Sequence, residues 1–173
     1  MNQCVNSVLI VGVGGQGTLL ASRLLGAVMM NEGYDVKVSE VHGMSQRGGS
    51  VVTYVRYGEK VSSPIIAEGE ADVILAFEQL ESARYLPYLK KGGHVIVNTQ
   101  CIDPMPVITG TAVYPENIIE KISRRGISIL PVDAHRLAAA AGSVKAVNVV
   151  LMGAMAAKLS VSKEAWIKAI EET

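Results

Sequence analysis

The chain has 173 residues, a length typical of one domain with a substantial core. Its 16 basic and 16 acidic side chains give a formal net charge of zero, so the electrostatic attraction that draws basic proteins to nucleic acids and anionic membranes is missing. Hydrophobic residues make up 49% of the chain and charged residues 18%, which indicates that it buries surface against partners as well as inside itself.

The cysteines and histidines argue against a metal site. Cys4 and Cys101 form no C-x-x-C pair, so we expect reduced thiols, as in cytoplasmic proteins. The three histidines lack the spacing of metal ligands, and we predict no bound metal. The N-terminus does not resemble a signal peptide, and the most apolar predicted helix, 147–159, is too short to span a bilayer. We therefore expect a cytoplasmic protein.

A glycine turn follows the first predicted strand. Residues 8–11 are apolar and mostly β-branched, and apolar residues recur at helical spacing after residue 18. Between them, the G-x-G-x-x-G pattern permits a tight turn whose helix start favours an anion. We predict that a phosphate or carboxylate is held there by Gly12, Gly14, Gly15, Gln16 and Gly17. The alternative is a turn that only needs small residues.

The second predicted strand, 36–40, ends in Glu40, about where a nucleotide-binding fold places a ribose-binding carboxylate. The alternative is an ordinary acid at a strand end, solvated or paired with Arg47. The helix expected next is missing, because residues 41–50 are polar, rich in glycine and without periodicity. A β-branched and aromatic strand, 51–57, follows. We interpret this region as a β-hairpin-like insertion.

The remaining chain predicts alternating strands and helices. A buried strand, 72–77, leads to Glu78, which either faces a ligand crevice at the strand end or suits the dipole of the next helix. A helix through Arg84 is expected to end at Lys90 and Lys91, with Gly92 and Gly93 as the stop. Further strands are predicted at 95–97 and 127–130, and helices at 117–125, 133–142, 144–159 and 163–172. Asn117 and Glu120 are expected to form an N-cap pair, and Asp133 and Ser162 to cap the second and the last of these helices. The helix 144–159 is apolar on nearly every side, which predicts burial or a partner subunit. The predicted fold is a single three-layer, Rossmann-like α/β domain over 1–173, with a mostly parallel sheet.

Several segments resemble one enzyme family. VGVGGQGTLLASRLL near the N-terminus and SEVHGMSQRGGSV after the second strand are similar to the gamma-type subunits and domains of the 2-oxoacid:ferredoxin oxidoreductases. Within that family the chain resembles the small, beta, subunits of indolepyruvate:ferredoxin oxidoreductases. Segments 71–78, 84–89 and 146–154 match as well, so the resemblance covers nearly the whole chain. Its most distinctive part is the run HGMSQRGG.

The resemblance implies a division of labour between two subunits. The complete enzyme would oxidatively decarboxylate arylpyruvates such as indolepyruvate, form the acyl-CoA and pass electrons to ferredoxin, using thiamine diphosphate and [4Fe–4S] clusters. This chain has neither a G-D-G thiamine motif nor clustered cysteines. We therefore expect that it binds no cofactor firmly and is inactive alone. The large, alpha, subunit would carry both cofactors, and this chain would complete the active site or substrate surface.

A second candidate site lies in the loop after the second strand. Its residues are His42, Ser45, Gln46, Arg47, Gly48 and Gly49. Arg47 suits bidentate binding of an anion, which Ser45 and Gln46 would orient. The alternative is an interface loop whose glycines let the large subunit approach. Both candidate sites follow strand ends and are expected at the same edge of the sheet. No catalytic residue is assigned.

Two other functions remain open from the residues alone. The glycine pattern and Glu40 suit a stand-alone NAD(P)- or FAD-binding enzyme, although no base for hydride transfer is recognisable. A coenzyme A or nucleotide-binding module without chemistry of its own is the other alternative.

Overall fold

Strands and helices alternate along the chain in the computed structural model, which describes residues 5–42 and 48–172. In chain order the elements are β1 (Asn6–Val13), α1 (Thr18–Asn31), β2 (Asp35–His42), β3 (Ser50–Gly58), β4 (Ala71–Ala76), α2 (Gln79–Arg84), β5 (Leu89–Asn98), α3 (Met105–Ile108), α4 (Ile118–Ser123), β6 (Ser128–Val132), α5 (Ala134–Ala140), α6 (Val147–Ala156) and α7 (Lys163–Glu172). Single 3₁₀ turns, Leu86–Tyr88 and Val144–Ala146, precede β5 and α6.

The strands form one sheet in the order β2-β3-β1-β4-β5-β6. β1 pairs in parallel with β4, β4 with β5, and β5 with β6. β3 lies antiparallel to both β1 and β2, so β2 runs in the same direction as β1. The mostly parallel sheet and the hairpin-like insertion are therefore confirmed. The hairpin strand β3 occupies the place beside β1 that a second parallel strand would otherwise take.

Apolar side chains cover both faces of the sheet. Along β1, Val8 and Ile10 point to one face and Leu9 and Val11 to the other, as the two-residue period of a strand requires, and all four are fully buried. The first face packs against α1, α6 and α7. The second packs beneath α2 and α4. This double burial gives the three predicted layers, and the parallel pairing of β1, β4, β5 and β6 places their carboxyl ends at one edge.

The prediction of a helix through Arg84 to Lys91 is wrong in its second half. α2 ends at Arg84, and Lys90, Lys91, Gly92 and Gly93 all belong to β5. Pro87 lies in the 3₁₀ turn between them and does not continue an α-helix. A Cβ on Gly93 would lie 2.9 Å from the Asp72 carbonyl oxygen, so this glycine permits the close approach of β5 to β4. It is not a helix stop.

The helices of the C-terminal half also differ in detail from the prediction. Asn117 precedes α4 with φ 56°, and its side chain makes no capping hydrogen bond, so the predicted Asn117–Glu120 capping pair is wrong. α6 is shorter than predicted, and it buries Leu151, Met152 and Met155 on one face while Val149 is 40% exposed. α6 is therefore not buried on every side within this chain, and the predicted alternative, a partner subunit, stays a prediction. The helix caps by Asp133 and Ser162 are confirmed.

None of the helices in the described ranges, 5–42 and 48–172, has both the length and the apolar character needed to cross a bilayer. The longest of those helices, α1, has 14 residues.

Candidate functional site

The glycine turn lies at the carboxyl edge of the sheet, directly after β1. Gly15 and Gly17 have φ values of 96° and 83°, a left-handed conformation that L side chains rarely adopt. A Cβ on Gly12 would lie 2.9 Å from Gln16 Oε1 and 3.0 Å from the Phe77 Cβ. The first glycine is thus required by close packing and the other two by backbone conformation. The turn predicted from the sequence pattern is present.

Gln16 closes this turn from the inside. Its Oε1 accepts a hydrogen bond from the Val13 amide at 2.7 Å, and its Nε2 donates to the Phe77 carbonyl and to Gln100 Oε1, both at 3.0 Å. Asn98 Nδ2 donates to the same Phe77 carbonyl at 3.2 Å. Because its donors and its acceptor are engaged, the Gln16 side chain holds the turn against β4 and the end of β5.

Internal hydrogen bonds use several amides that the predicted anion site would have offered. The Val13 amide donates to Gln16, the Gly14 amide to the Gly49 carbonyl at 2.9 Å, and the Gln16 amide to the Val13 carbonyl at 3.1 Å. The first turn of an α-helix leaves its amides without helical acceptors, so those of Thr18 and Leu19 in α1 remain for a ligand. The most favourable donors therefore lie at the helix start.

One cavity opens on the β2 side of the turn. It has a volume of about 380 Å³ and is lined by Gly14, Gly15, Gly17, Thr18, Leu19, Glu40 and Val51. Glu40 thus reaches the glycine turn although its strand is separated from β1 by β3. Its carboxylate accepts a long hydrogen bond, 3.5 Å, from the Thr53 hydroxyl. We call this space the acidic cavity.

A second cavity opens on the other side of the same turn. It has a volume of about 400 Å³ and is lined by Gly15, Gln16, Gly17, Phe77, Gln100, His135, Val144, Lys145, Val147 and Asn148. Lys145 supplies a cation, and His135 is an exposed imidazole in the first turn of α5. Gln100 uses its Oε1 to accept from Gln16 and Asn98, which leaves its amide donors for a ligand. We call this space the basic cavity.

Asn148 joins α6 to the glycine turn. Its Nδ2 donates to the Gly17 carbonyl at 3.4 Å, and a Cβ added to Gly17 would lie 2.2 Å from the same nitrogen. In the sequence, this asparagine is the one polar side chain in the apolar segment of α6. An isolated amide in such a helix indicates a specific contact. This isolated position was the sequence signal by which Asn148 could have been singled out.

The second candidate site is described only at its borders. Gly49 lies against the glycine turn through its bond to the Gly14 amide, and Gly48 lines a pocket beside Ser50 and Glu81. Gly49, at the end of the second candidate segment, therefore meets the glycine turn at the carboxyl edge of the sheet. Ser45, Gln46 and Arg47 lie outside the described residues, and His42 is described as the last residue of β2. Their roles stay predictions.

A buried pair of carboxylates, Glu78 and Glu81, lies beside this edge, and the sequence pointed only to Glu78. Glu78 caps α2 by accepting from the Glu81 amide at 3.0 Å. The Glu81 carboxylate accepts from the Ser50 hydroxyl and contacts Arg84 Nε at 3.2 Å. Burial raises the pKa of Glu81 above its usual value, and the Ser50 hydrogen bond opposes the shift. Glu78 was predicted from its strand end, whereas nothing local indicated Glu81.

Within residues 5–42 and 48–172, no three His, Cys, Asp or Glu side chains come close enough to share a metal ion.

Fold and site together define a class. A mainly parallel α/β domain with a glycine turn and two cavities at the carboxyl edge of its sheet is a Rossmann-like domain. The family model described as pyruvate ferredoxin/flavodoxin oxidoreductase matches residues 7–173. The chain belongs to this family.

Known relatives agree with this assignment. The indolepyruvate oxidoreductase subunit IorB of Thermococcus kodakarensis is 49% identical over 152 residues, which cover 86% of this chain and 75% of that protein. The gamma subunit of a keto/oxoacid ferredoxin oxidoreductase from Geobacter sulfurreducens aligns at 27% identity with a TM-score of 0.64, over 95% of this chain and 84% of that chain. The prediction of a small oxidoreductase subunit is confirmed.

The fold also occurs inside a longer chain. A 2-oxoglutarate:ferredoxin oxidoreductase from Magnetococcus marinus, solved with 2-oxoglutarate, coenzyme A and succinyl-CoA, aligns at 17% identity with a TM-score of 0.73. The match covers 99% of this chain but 27% of that one. The domain described here is thus found there as one part of a larger polypeptide.

Proposed function

We propose that the chain is the small subunit of an indolepyruvate:ferredoxin oxidoreductase, which decarboxylates an arylpyruvate, transfers the acyl group to coenzyme A and passes the electrons to ferredoxin. The 49% identity to the Thermococcus subunit carries this proposal. A larger subunit supplies thiamine diphosphate and the iron–sulfur clusters. The chain itself has two cysteines, fewer than the four thiolates that a [4Fe–4S] cluster takes.

Within that complex, the glycine-turn edge of this chain holds the phosphates of coenzyme A. Lys145, His135 and the free donors of Gln100 line one cavity of suitable charge and size. Gly17, the N-cap residue of α1, lines the same cavity, whereas Thr18 and Leu19 line the acidic cavity. The residues present therefore fit a phosphorylated ligand, and this chain contributes its binding and orientation. Decarboxylation and electron transfer take place on groups that the larger subunit holds.

Joint purification tests the proposal. We expect the chain and the larger subunit encoded with it to form a complex that reduces a dye in the presence of indolepyruvate and coenzyme A. Neither part alone should do so. Omission of coenzyme A should remove most of the activity. Turnover of an oxoacid by this chain alone, or a complex that ignores all arylpyruvates, would contradict the proposal.

A stand-alone NAD(P)- or FAD-binding protein is the second candidate, because Glu40 shares a cavity with the glycine turn. Thermal unfolding of the isolated chain distinguishes this candidate function from the proposed one. A ligand at a hundred times its dissociation constant adds about 2.7 kcal/mol of stability. We expect such a shift with coenzyme A and none with NAD(H), NADP(H) or FAD.

A further inference from the structure

Three large apolar side chains are exposed on the segment between β5 and α4. Met105 is 62% exposed, Ile108 66% and Val113 87%. Met105 and Ile108 are three residues apart in α3 and so lie on one side of its single turn. Single exposed apolar residues are ordinary, but several on one segment mark a candidate interaction surface. We call residues 102–114 the β5–α4 loop.

Hydrogen bonds within the loop hold its shape without help from these side chains. The Pro106 carbonyl accepts from the amides of Thr111 and Ala112 at 2.9 and 3.0 Å, and from the Thr111 hydroxyl at 3.0 Å. The Thr109 hydroxyl donates to the Met105 carbonyl at 3.0 Å. The exposed apolar groups are therefore not required for the local fold, and their display needs another explanation.

Both ends of the loop attach to one buried carboxylate. Glu78 is 1% exposed, and its Oε1 accepts from the Ile102 amide at 3.2 Å and from the Tyr114 hydroxyl. The Leu80 amide in turn donates to the Tyr114 hydroxyl at 3.2 Å. Burial, followed by this contact with Glu78, raises the pKa of Tyr114 well above its usual value, so the hydroxyl keeps its proton as the donor. The loop is thus fastened to the domain by polar contacts at its base.

The charged side chains in the stretch from residue 99 to residue 117 have one sign. Asp103 and Glu116 are exposed, and no lysine or arginine occurs between Lys91 and Lys121. In a symmetric contact with a second copy, these carboxylates would face like charges, which disfavours self-association. A complementary surface is apolar at its centre and carries lysine or arginine at its border.

We propose that the β5–α4 loop is a docking surface for the larger oxidoreductase subunit, which meets it with an apolar patch bordered by basic side chains. The inference rests on the proposed function, because it requires such a subunit. The loop begins just after Gln100, which lines the basic cavity, so a subunit docked here lies next to the edge where both cavities open. In the Magnetococcus enzyme a domain of the same fold is part of a much longer chain, so the fold lies beside a large neighbour in that protein.

The test measures the affinity between the full chain and the purified larger subunit. The double substitution Ile108→Asp with Val113→Asp should weaken binding by about tenfold or more, the range expected for interface anchors. Its unfolding midpoint should stay at the wild-type value, because both side chains are exposed. The matched control is Ile167→Asp on α7, where the isoleucine is 45% exposed and the helix packs on α1. It should bind like wild type.

Reversing the charges of Asp103 and Glu116 provides a second test of the docking surface. The pair Asp103→Lys with Glu116→Lys should also weaken binding, and added salt should weaken wild-type binding more than that of the reversed pair. Wild-type affinity in the Ile108/Val113 variant overturns the inference and leaves the proposed function standing. A wild-type dimer that this variant abolishes also overturns it in favour of a second copy. No binding by wild type defeats the proposed function, and the inference with it.

Discussion

The two cavities beside the glycine turn share one wall and differ in charge. Gly15 and Gly17 line both, but Glu40 is the charged side chain among the described residues of the acidic cavity, while Lys145 and His135 line the basic cavity. A carboxylate suits ribose hydroxyls, as in dinucleotide-binding folds, and repels phosphate. Coenzyme A carries a phosphate on its ribose, so its adenosine end is disfavoured beside Glu40. We therefore propose that the phosphates of coenzyme A lie on the basic side.

Because the glycine turn lines both cavities, a substitution in the turn is expected to have the largest effect. Gly17→Ala should destabilise the domain by about 3 kcal/mol, because left-handed strain costs about 1–2 kcal/mol and overpacking about 1–3. The added Cβ would lie 2.2 Å from Asn148 Nδ2. Urea unfolding measures the change.

Gly15→Ala is the matched control for Gly17→Ala. Gly15 has a similar φ, 96°, but its Cβ would meet no atom of the described residues within 4 Å. Strain alone should then cost about 1 kcal/mol. Equal losses of stability in the two variants would mean that the Asn148 side chain moves aside without an energetic penalty. It would then not hold the turn in place.

Ligand binding should separate the two cavities. Lys145→Ala should weaken coenzyme A binding by about fivefold, because an exposed cation facing phosphate contributes about 1 kcal/mol. Glu40→Gln should leave that affinity unchanged or raise it. Calorimetric titration of the purified complex measures both.

Lys158→Ala removes an exposed lysine that lines neither cavity, and its affinity for coenzyme A should equal that of wild type. A loss of affinity in Glu40→Gln together with none in Lys145→Ala would reverse the assignment. The phosphates would then belong on the acidic side.

The smallest expected effect is a pH dependence of the free energy of unfolding. It comes from Glu81, an acid outside both cavities. Since burial raises the pKa of Glu81, the folded state keeps a proton that the unfolded chain has already released. The free energy of unfolding should therefore fall as the pH rises above the usual glutamate pKa and through the raised value. Glu81→Gln should flatten this fall. An unchanged slope in urea unfolding across that pH range would refute the contribution of Glu81.

Local patterns predicted much of the fold and one half of the site. The apolar runs indicated β1 and β4, and the glycine spacing indicated the turn between β1 and α1. The missing helix after β2 correctly predicted the hairpin. By contrast, Gly93 was mistaken for a helix stop, because its reason is the Asp72 carbonyl on a neighbouring strand.

The charged sides of the two cavities were beyond local patterns. Lys145 and Asn148 are far from Gly17 in the chain, and their approach depends on how α6 packs across the sheet. Glu40 was noticed as a strand-end acid, but its access to the glycine turn depends on β3, which separates its strand from β1. Contacts between distant segments leave no period or spacing in the sequence.

The sequence by itself determined the family, the glycine turn, the parallel strands and the absence of enough cysteines for a cluster, because each depends on residue identities or short-range spacing. Only the tertiary structure decided that Gln16 seals the turn from inside, that one turn serves two cavities of unlike charge, and that Glu78 fastens both ends of an exposed apolar loop. Those features arise where strand ends and helix starts come together at one edge of the sheet. Packing of the helices on both faces of the sheet determines which segments come together there.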